Sequence, residues 1–204
     1  MHWAVNWADL ASHAYAYVVL AAAALAAGTV SGITLGALAS HLRSLRAPIL
    51  ALGNIARVVP SLAVLTFMLP LFGVGFLPAF VALSLLATAP VLINTDLAFR
   101  SVPASVLDAA KGVGMTSQQQ LWRVEWPLAF PIVFAGVRTA STEVIGSAVL
   151  ASFIGAGGLG EYITTGLQAN QPAQLWLGVI SIGAIALVAE AVLGAVQIRV
   201  EARA

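Results

Sequence analysis

Arg138, Glu143 and Glu190 each lie inside a run of apolar residues long enough to cross a bilayer. An ionisable group at membrane depth is costly and faces a protein interior or a water-filled path. Glu143 therefore has two readings: it lines or gates a solute path, or it closes a structural pair with Arg138 or with a polar group on another helix. Glu190 sits nearer the inner end of its run and reads as structural. Pro60-Ser61 and Pro90 interrupt apolar runs of their own. A broken membrane helix marks a substrate path when water or protein meets the carbonyls it frees. Packing kinks are the competing reading, preferred for Pro90, while both stand for Pro60-Ser61.

Other constellations exclude enzyme classes. Gly155-Ala156-Gly157-Gly158-Leu159-Gly160 formally matches G-x-G-x-x-G. A dinucleotide site needs a strand before that pattern, a helix after it and an acidic residue about 20 positions on. Here an apolar helix precedes it and the region near 175–180 holds no acid. Gly155, Gly157, Gly158 and Gly160 instead suit a fold-back of the chain at the outer surface, as part of a gate, as a docking site for a binding protein, or as a purely structural turn. A Walker A loop needs Gly-Lys followed by Ser or Thr, and the only lysine, Lys111, precedes Gly112. The chain is expected not to hydrolyse ATP. His2, His13 and His41 are scattered across both sides of the membrane, and the absence of cysteine removes thiolate sites and disulfides. No metal or cofactor is expected.

These residues need elements to carry them. The 204-residue chain is 60% hydrophobic and 8% charged, with a mean hydropathy of +0.97, which soluble domains do not approach. Runs near twenty apolar residues place spans at about 15–38, 49–69, 78–93, 128–150 and 175–198, the second and third joined by the uncharged turn 70–75. The chain thus reads as an all-α integral membrane protein of about five helices, one domain over 1–204 with a helical core at 15–198. With the N-terminus outside, Arg43, Arg46, Arg100, Lys111, Arg123, Arg199 and Arg203 all fall inside, in segments 39–48, 94–127 and the tail. Arg57 and Arg138 lie in spans, in the halves nearer the inside. The outer segments hold Asp9 and Glu161 but no lysine or arginine. That asymmetry predicts N-out, C-in, so the basic residues serve topology and the net charge of +1 implies no nucleic acid. No signal peptide is expected in 1–14; Trp3, Trp7, Tyr15 and Tyr17 read as an aromatic belt at the outer interface.

The one substantial polar island is cytoplasmic, within 96–127. Pro103 suits a first helical turn, a short helix then runs to about Val113, and Gly114 suits the left-handed residue that ends it. Thr116 and Gln119 form a capping-box pattern, so a second helix starts there and stops or bends at Pro127. Such a helix–turn–helix, with small Ala109 and Ala110 beside Asp108, can enter a partner's groove, or can be merely solvated.

Asp108, Ala109, Ala110, Gly114, Val124, Trp126 and Pro127 carry the spacing D-A-A-x3-G-x9-V-x-W-P. It resembles the EAA loop of bacterial ABC-importer permeases, E-A-A-x3-G-x9-I-x-L-P, departing by Asp for Glu, Val for Ile and Trp for Leu. Three further segments, 54–62 (NIARVVPSL), 89–95 (APVLINT) and 155–160 (GAGGLG), resemble osmoprotectant permeases of the glycine betaine, carnitine and choline type. Methionine permeases share the loop and two of these segments. The resemblance implies a type I importer fold, methionine-permease-like, in the bacterial cytoplasmic (inner) membrane. It makes 108–114, with Lys111 and Gly112, the coupling helix that docks into an ATPase subunit. It puts Pro60, Ser61, Asn94, Arg138 and Glu143 near the translocation path. The partners it implies are a second permease, identical or homologous, two ABC ATPase subunits, an extracytoplasmic substrate-binding protein and the lipid bilayer. The expected function is passage of a quaternary-ammonium osmoprotectant, with methionine or another small solute as the alternative. Two rivals from other classes are an ion-coupled secondary transporter or channel using Glu143 and Arg138, and a membrane scaffold without solute flux.

Overall fold

Three glycines spaced four apart, Gly28, Gly32 and Gly36, put a smooth stripe along one face of the first helix, α1 (Trp7–His41). Helices in lipid associate by close packing rather than by hydrophobic exclusion, which favours such stripes. In the computed structural model, which describes residues 6–202, α4 (Phe76–Ser101) lies directly on that stripe. A Cβ built on Gly32 would come within 2.6 Å of Val91 Cβ and 2.9 Å of the Thr88 carbonyl, and one on Gly36 within 2.5 Å of Thr95 Cβ. On its other side α4 packs against α7 (Trp126–Ala148). There Gly136 is covered by Asn94, whose side-chain amide donates to the Pro90 carbonyl at 2.8 Å. The buried core is accordingly rich in small residues, with Ala24, Ala79, Ala82, Ala87, Ala140 and Ala148 fully enclosed around Tyr17, Leu65 and Leu83.

Every regular element among the described residues is helical. Four helical rods are long and apolar enough to cross a bilayer, and one bent pair makes a fifth crossing. The second expected span is therefore corrected: it is α2 (Arg43–Val58) and α3 (Ser61–Phe72), meeting at 103°. Pro60 offers no N–H to close the helix through the break. The inner segment 39–48 is not a loop, since α2 begins two residues after α1 ends. The third span is longer than expected: α4 starts at Phe76, continues through Pro90 without a break and reaches Ser101. Short α5 (Ala104–Gly112) and α6 (Ser117–Gln120) follow on the inner side. Pro103 caps α5 from just outside rather than filling its first turn.

The helix from α6 neither stops nor breaks at Pro127. It widens into a π-helical turn at Leu121–Glu125 and continues through α7 to a 3-10 turn at Val149–Ile154, one rod over Ser117–Ile154. The π turn precedes Pro127, where the missing N–H and the ring would otherwise strain an α-helical ladder. Outside the membrane the chain forms α8 (Gly160–Gln168), which was not anticipated, and returns as α9 (Pro172–Glu201). Trp7 and Tyr15 are exposed as an aromatic belt requires, but Tyr17 is buried and donates its hydroxyl to the Ile145 carbonyl. His2, Trp3 and Arg203 lie outside the described residues.

Candidate functional site

The α2–α3 break lies opposite Leu86, near the middle of α4, and opens into a cavity of about 290 Å³. Arg57 reaches it from the last turn of α2, Pro60 and Ser61 from the break, and Glu143 and Ser147 from α7. The final carbonyls of α2 and the first N–H groups of α3 have no helical partner, and Pro60 caps α3 without any side-chain bond. Pro90 likewise offers no N–H to the carbonyl of Leu86, another wall residue. Glu143 also walls a second cavity of about 420 Å³, shared with Arg138, Thr139, Thr142, Glu190 and Gln197. The two cavities form one polar strip along an open face of α7, with Thr139 and Thr142 exposed.

Of the residues expected near a path, the structure brings together Pro60, Ser61 and Glu143, with Arg138 one cavity further in. Asn94 is elsewhere, half-buried in the α4–α7 packing. The expected alternative of an Arg138–Glu143 pair is corrected. Arg138 bonds Glu190, with Nε 2.9 Å from its carboxylate, and reaches Gln197 at 2.9 Å, fastening α7 to α9. Glu190, expected to be structural, closes that pair and also walls the second cavity. Arg57 is the residue that the sequence reading left unassigned. The signal was an arginine three residues before a helix-breaking proline inside an apolar run, a charge that must face protein or water. A second missed pair is Arg46 with the buried Asp96, a two-pronged bridge at 3.1 and 3.0 Å that joins α2 to α4.

On the inner side, Gly114 has φ +81° and ends α5 with two reversed bonds, Gly114 N–H to Lys111 at 2.9 Å and Met115 N–H to Ala110 at 3.1 Å. This is the Schellman ending. Thr116 and Gln119 cap each other. Asp108, Ala109, Lys111, Gly112 and Gly114 are exposed while Ala110 is buried, so α5 presents a small-residue face outward. Val124 and Trp126 are half-buried; Trp126 sits about 6.0 Å from Phe99 and 6.1 Å from Trp122. Trp126 packs the start of the rod against the end of α4. His41 reaches Glu125 at 3.1 Å.

On the outer side, Gly155, Gly157 and Gly158 all take positive φ, which folds the chain back onto α1 and the α3–α4 turn. Gly75 N–H donates to Ile154 at 2.8 Å, and a Cβ on Gly158 would lie 3.3 Å from Tyr17. Gly160 abuts Ser152 and the Val149 carbonyl. At 1.5 Å per residue α1 is about 52 Å long against a hydrocarbon thickness of about 30 Å, and the span expected from hydropathy begins only at Tyr15, after its first two turns. There His13 bonds the Asp9 carbonyl at 2.9 Å and Glu161 at 3.2 Å, while Tyr162 donates to Asp9 at 2.5 Å. Burial lowers the basicity of His13, but the Asp9 and Glu161 contacts outweigh it and its pKa is raised. Tyr162 is pushed up to about 12, by burial first and then by Asp9.

Residues 28–204 match the family described as binding-protein-dependent transport system inner membrane component. The chain belongs to that family. This permease is 38% identical over 192 residues to the choline transport system permease protein OpuBB of Bacillus subtilis (strain 168), covering 94% of this chain and 88% of the relative. It is 39% identical over 184 residues to the glycine betaine/carnitine/choline transport system permease protein OpuCB of the same organism, covering 90% and 84%. Its fold is similar to that of a chain of the MetNI methionine ABC transporter solved in an inward-facing conformation, with a TM-score of 0.83, 20% identity, and coverage of 94% of this chain and 95% of that one. The permease is thus a multi-pass inner-membrane subunit of type I ABC-importer architecture.

Proposed function

We propose that this permease passes a quaternary-ammonium osmoprotectant, glycine betaine, carnitine or choline, along the polar strip on α7. The observation that carries this reading is the strip itself, two cavities sharing Glu143 on a face that a single chain leaves open. A path lined on one side needs a second permease, identical or homologous, to close it. The hairpin of α5 and α6, with its exposed small-residue face and fixed glycine turn, supports docking of an ATPase subunit at each permease, and the outer glycine turn supports delivery by a binding protein. ATP hydrolysis belongs to those partners. The named substrates of the relatives support the solute class.

The test is uptake of labelled glycine betaine by osmolyte-transport-deficient cells that express the permease with its ATPase and binding protein. ATPase-dependent uptake, competed by choline or carnitine, is the expected result. Competition by methionine alone removes the osmoprotectant assignment. Uptake that survives an inactivated ATPase and collapses with the membrane potential moves the reading to an ion-coupled carrier.

A further inference from the structure

Arg57 and Glu143 wall the same mid-membrane cavity from different helices. They are close enough for their charges to interact, yet neither closes an ion pair with the other or with any other described residue. Opposite charges in a weakly polar surrounding attract strongly, so a pair that remains open across a cavity leaves space for something between them. The backbone around the gap supplies both signs as well. On the α3 side, Ser61 and Leu62 present helix-start N–H groups, the positive end of a twelve-residue helix. On the α2 and α4 sides, Pro60 and Pro90 leave the carbonyls of Ala56 and Leu86, both wall residues, without helical donors. Half-helices in membranes use these two ends to hold groups of opposite charge.

We infer that the cavity at the α2–α3 break is a two-point site for a small zwitterion, with Arg57 and the start of α3 receiving its carboxylate and Glu143 and the freed carbonyls receiving its quaternary ammonium. The chemistry at the two poles differs. A carboxylate accepts charge-assisted hydrogen bonds from a guanidinium, in a fork that lysine cannot reproduce. A quaternary ammonium has no N–H and is held by charge, carbonyl dipoles or aromatic faces, and the lining of this cavity offers the first two. A net-neutral solute with separated charges satisfies both poles at once, whereas a simple cation satisfies only the Glu143 pole. The inference rests on the transport reading above and adds the orientation of the solute and a basis for discriminating between its members.

The test uses the permease reconstituted in proteoliposomes with its ATPase and binding protein, and compares glycine betaine, a zwitterion, with choline, a cation lacking the carboxylate. Arg57→Gln is expected to lower the maximal rate of glycine betaine uptake by about tenfold or more, the scale of one lost charge-assisted bond. Choline uptake by the same variant is expected to stay near the wild-type rate, which also certifies that the variant is folded. Arg57→Lys should recover glycine betaine uptake only in part. Glu143→Gln should slow both solutes, while binding-protein-stimulated ATP hydrolysis continues, so that more ATP is spent per solute moved. The half-saturating concentration, set by the binding protein, should not move. Equal loss of both solutes in Arg57→Gln, or no loss of glycine betaine, overturns the carboxylate pole; unchanged uptake of both in Glu143→Gln overturns the ammonium pole. A wild-type assembly that moves neither solute overturns the transport reading itself, and one that moves choline but not glycine betaine overturns the zwitterion site alone.

Discussion

Two glycines two positions apart in the inner hairpin have opposite duties. Gly112 is helical, exposed and faces open space, so a methyl group there meets nothing. Gly112→Ala should improve helix propensity by up to about 1 kcal/mol and leave uptake intact if the docking face tolerates a methyl. Gly114 also faces open space, but its φ of +81° is a conformation that side chains oppose. Gly114→Asp adds a Cβ to that conformation and a charge to the exposed turn. The expected outcome is a permease that inserts normally and supports less than about a tenth of wild-type uptake, a loss of about 1.4 kcal/mol or more in coupling. Full uptake by Gly114→Asp would remove the docking role of the hairpin. This turn was legible in the sequence because its signals are local: a glycine, a capping threonine and a glutamine three residues on. The ionic partners were not. Arg138 lies five residues from Glu143 but 52 from Glu190, and nothing local to the chain reveals which carboxylate a neighbouring helix brings to it.

At the scale of the element, the spans were legible from hydropathy and their ends were not. Proline was the ambiguous sign. Pro60 divides a crossing into α2 and α3, Pro90 passes through the middle of α4, and Pro127 is accommodated by a π turn placed ahead of it. The difference is tertiary: Pro90 is buried between packed helices, whereas Pro60 is exposed at a cavity where freed carbonyls can be solvated. The glycine stripe of α1 also went unread, although its spacing of four is a packing pattern. It fixes how closely α1 approaches α4. Gly32→Ala should cost about 1–3 kcal/mol through overpacking, since the added methyl meets both a side chain and a backbone carbonyl. Gly183→Ala, on α9 with open space before it, is the matched control and should cost nothing measurable. Thermal unfolding in detergent, followed by aggregation, separates the two; equal midpoints would mean that Gly32 is not held against Val91 and Thr88 of α4.

At the scale of the whole molecule, the start of α1 meets α8, 148 residues further along the chain. His13 bridges the start of α1 to α8 through Asp9 and Glu161, with the Tyr162 phenol closing the cluster. A raised His13 pKa means that the folded form holds the proton more tightly than an unstructured histidine. The stabilisation is complete below the ordinary value near 6.5 and is lost as pH rises through the raised value. Amide exchange in α8, corrected for its intrinsic pH dependence, should therefore be slower at pH 6 than at pH 8, and His13→Gln should erase the difference. An unchanged profile in that variant would take the cluster out of account. The amphipathic α8 itself was not legible because hydropathy marks what crosses a bilayer, and its nine residues are too few and too polar for that.

The rod over Ser117–Ile154 begins beside the inner hairpin and ends at the outer glycine turn, and its helical winding is not interrupted between them. At 1.5 Å per residue it is about 57 Å long, so pivoting about its midpoint by about 5° displaces each tip by about 2.5 Å, in opposite directions. A push delivered at the cytoplasmic tip is thus felt as a pull at the outer one, with Glu143 nearer the outer end and carried along the same arc. The widened π turn lies at the end of the seesaw beside the hairpin, so the winding that joins it to Glu143 is α-helical throughout.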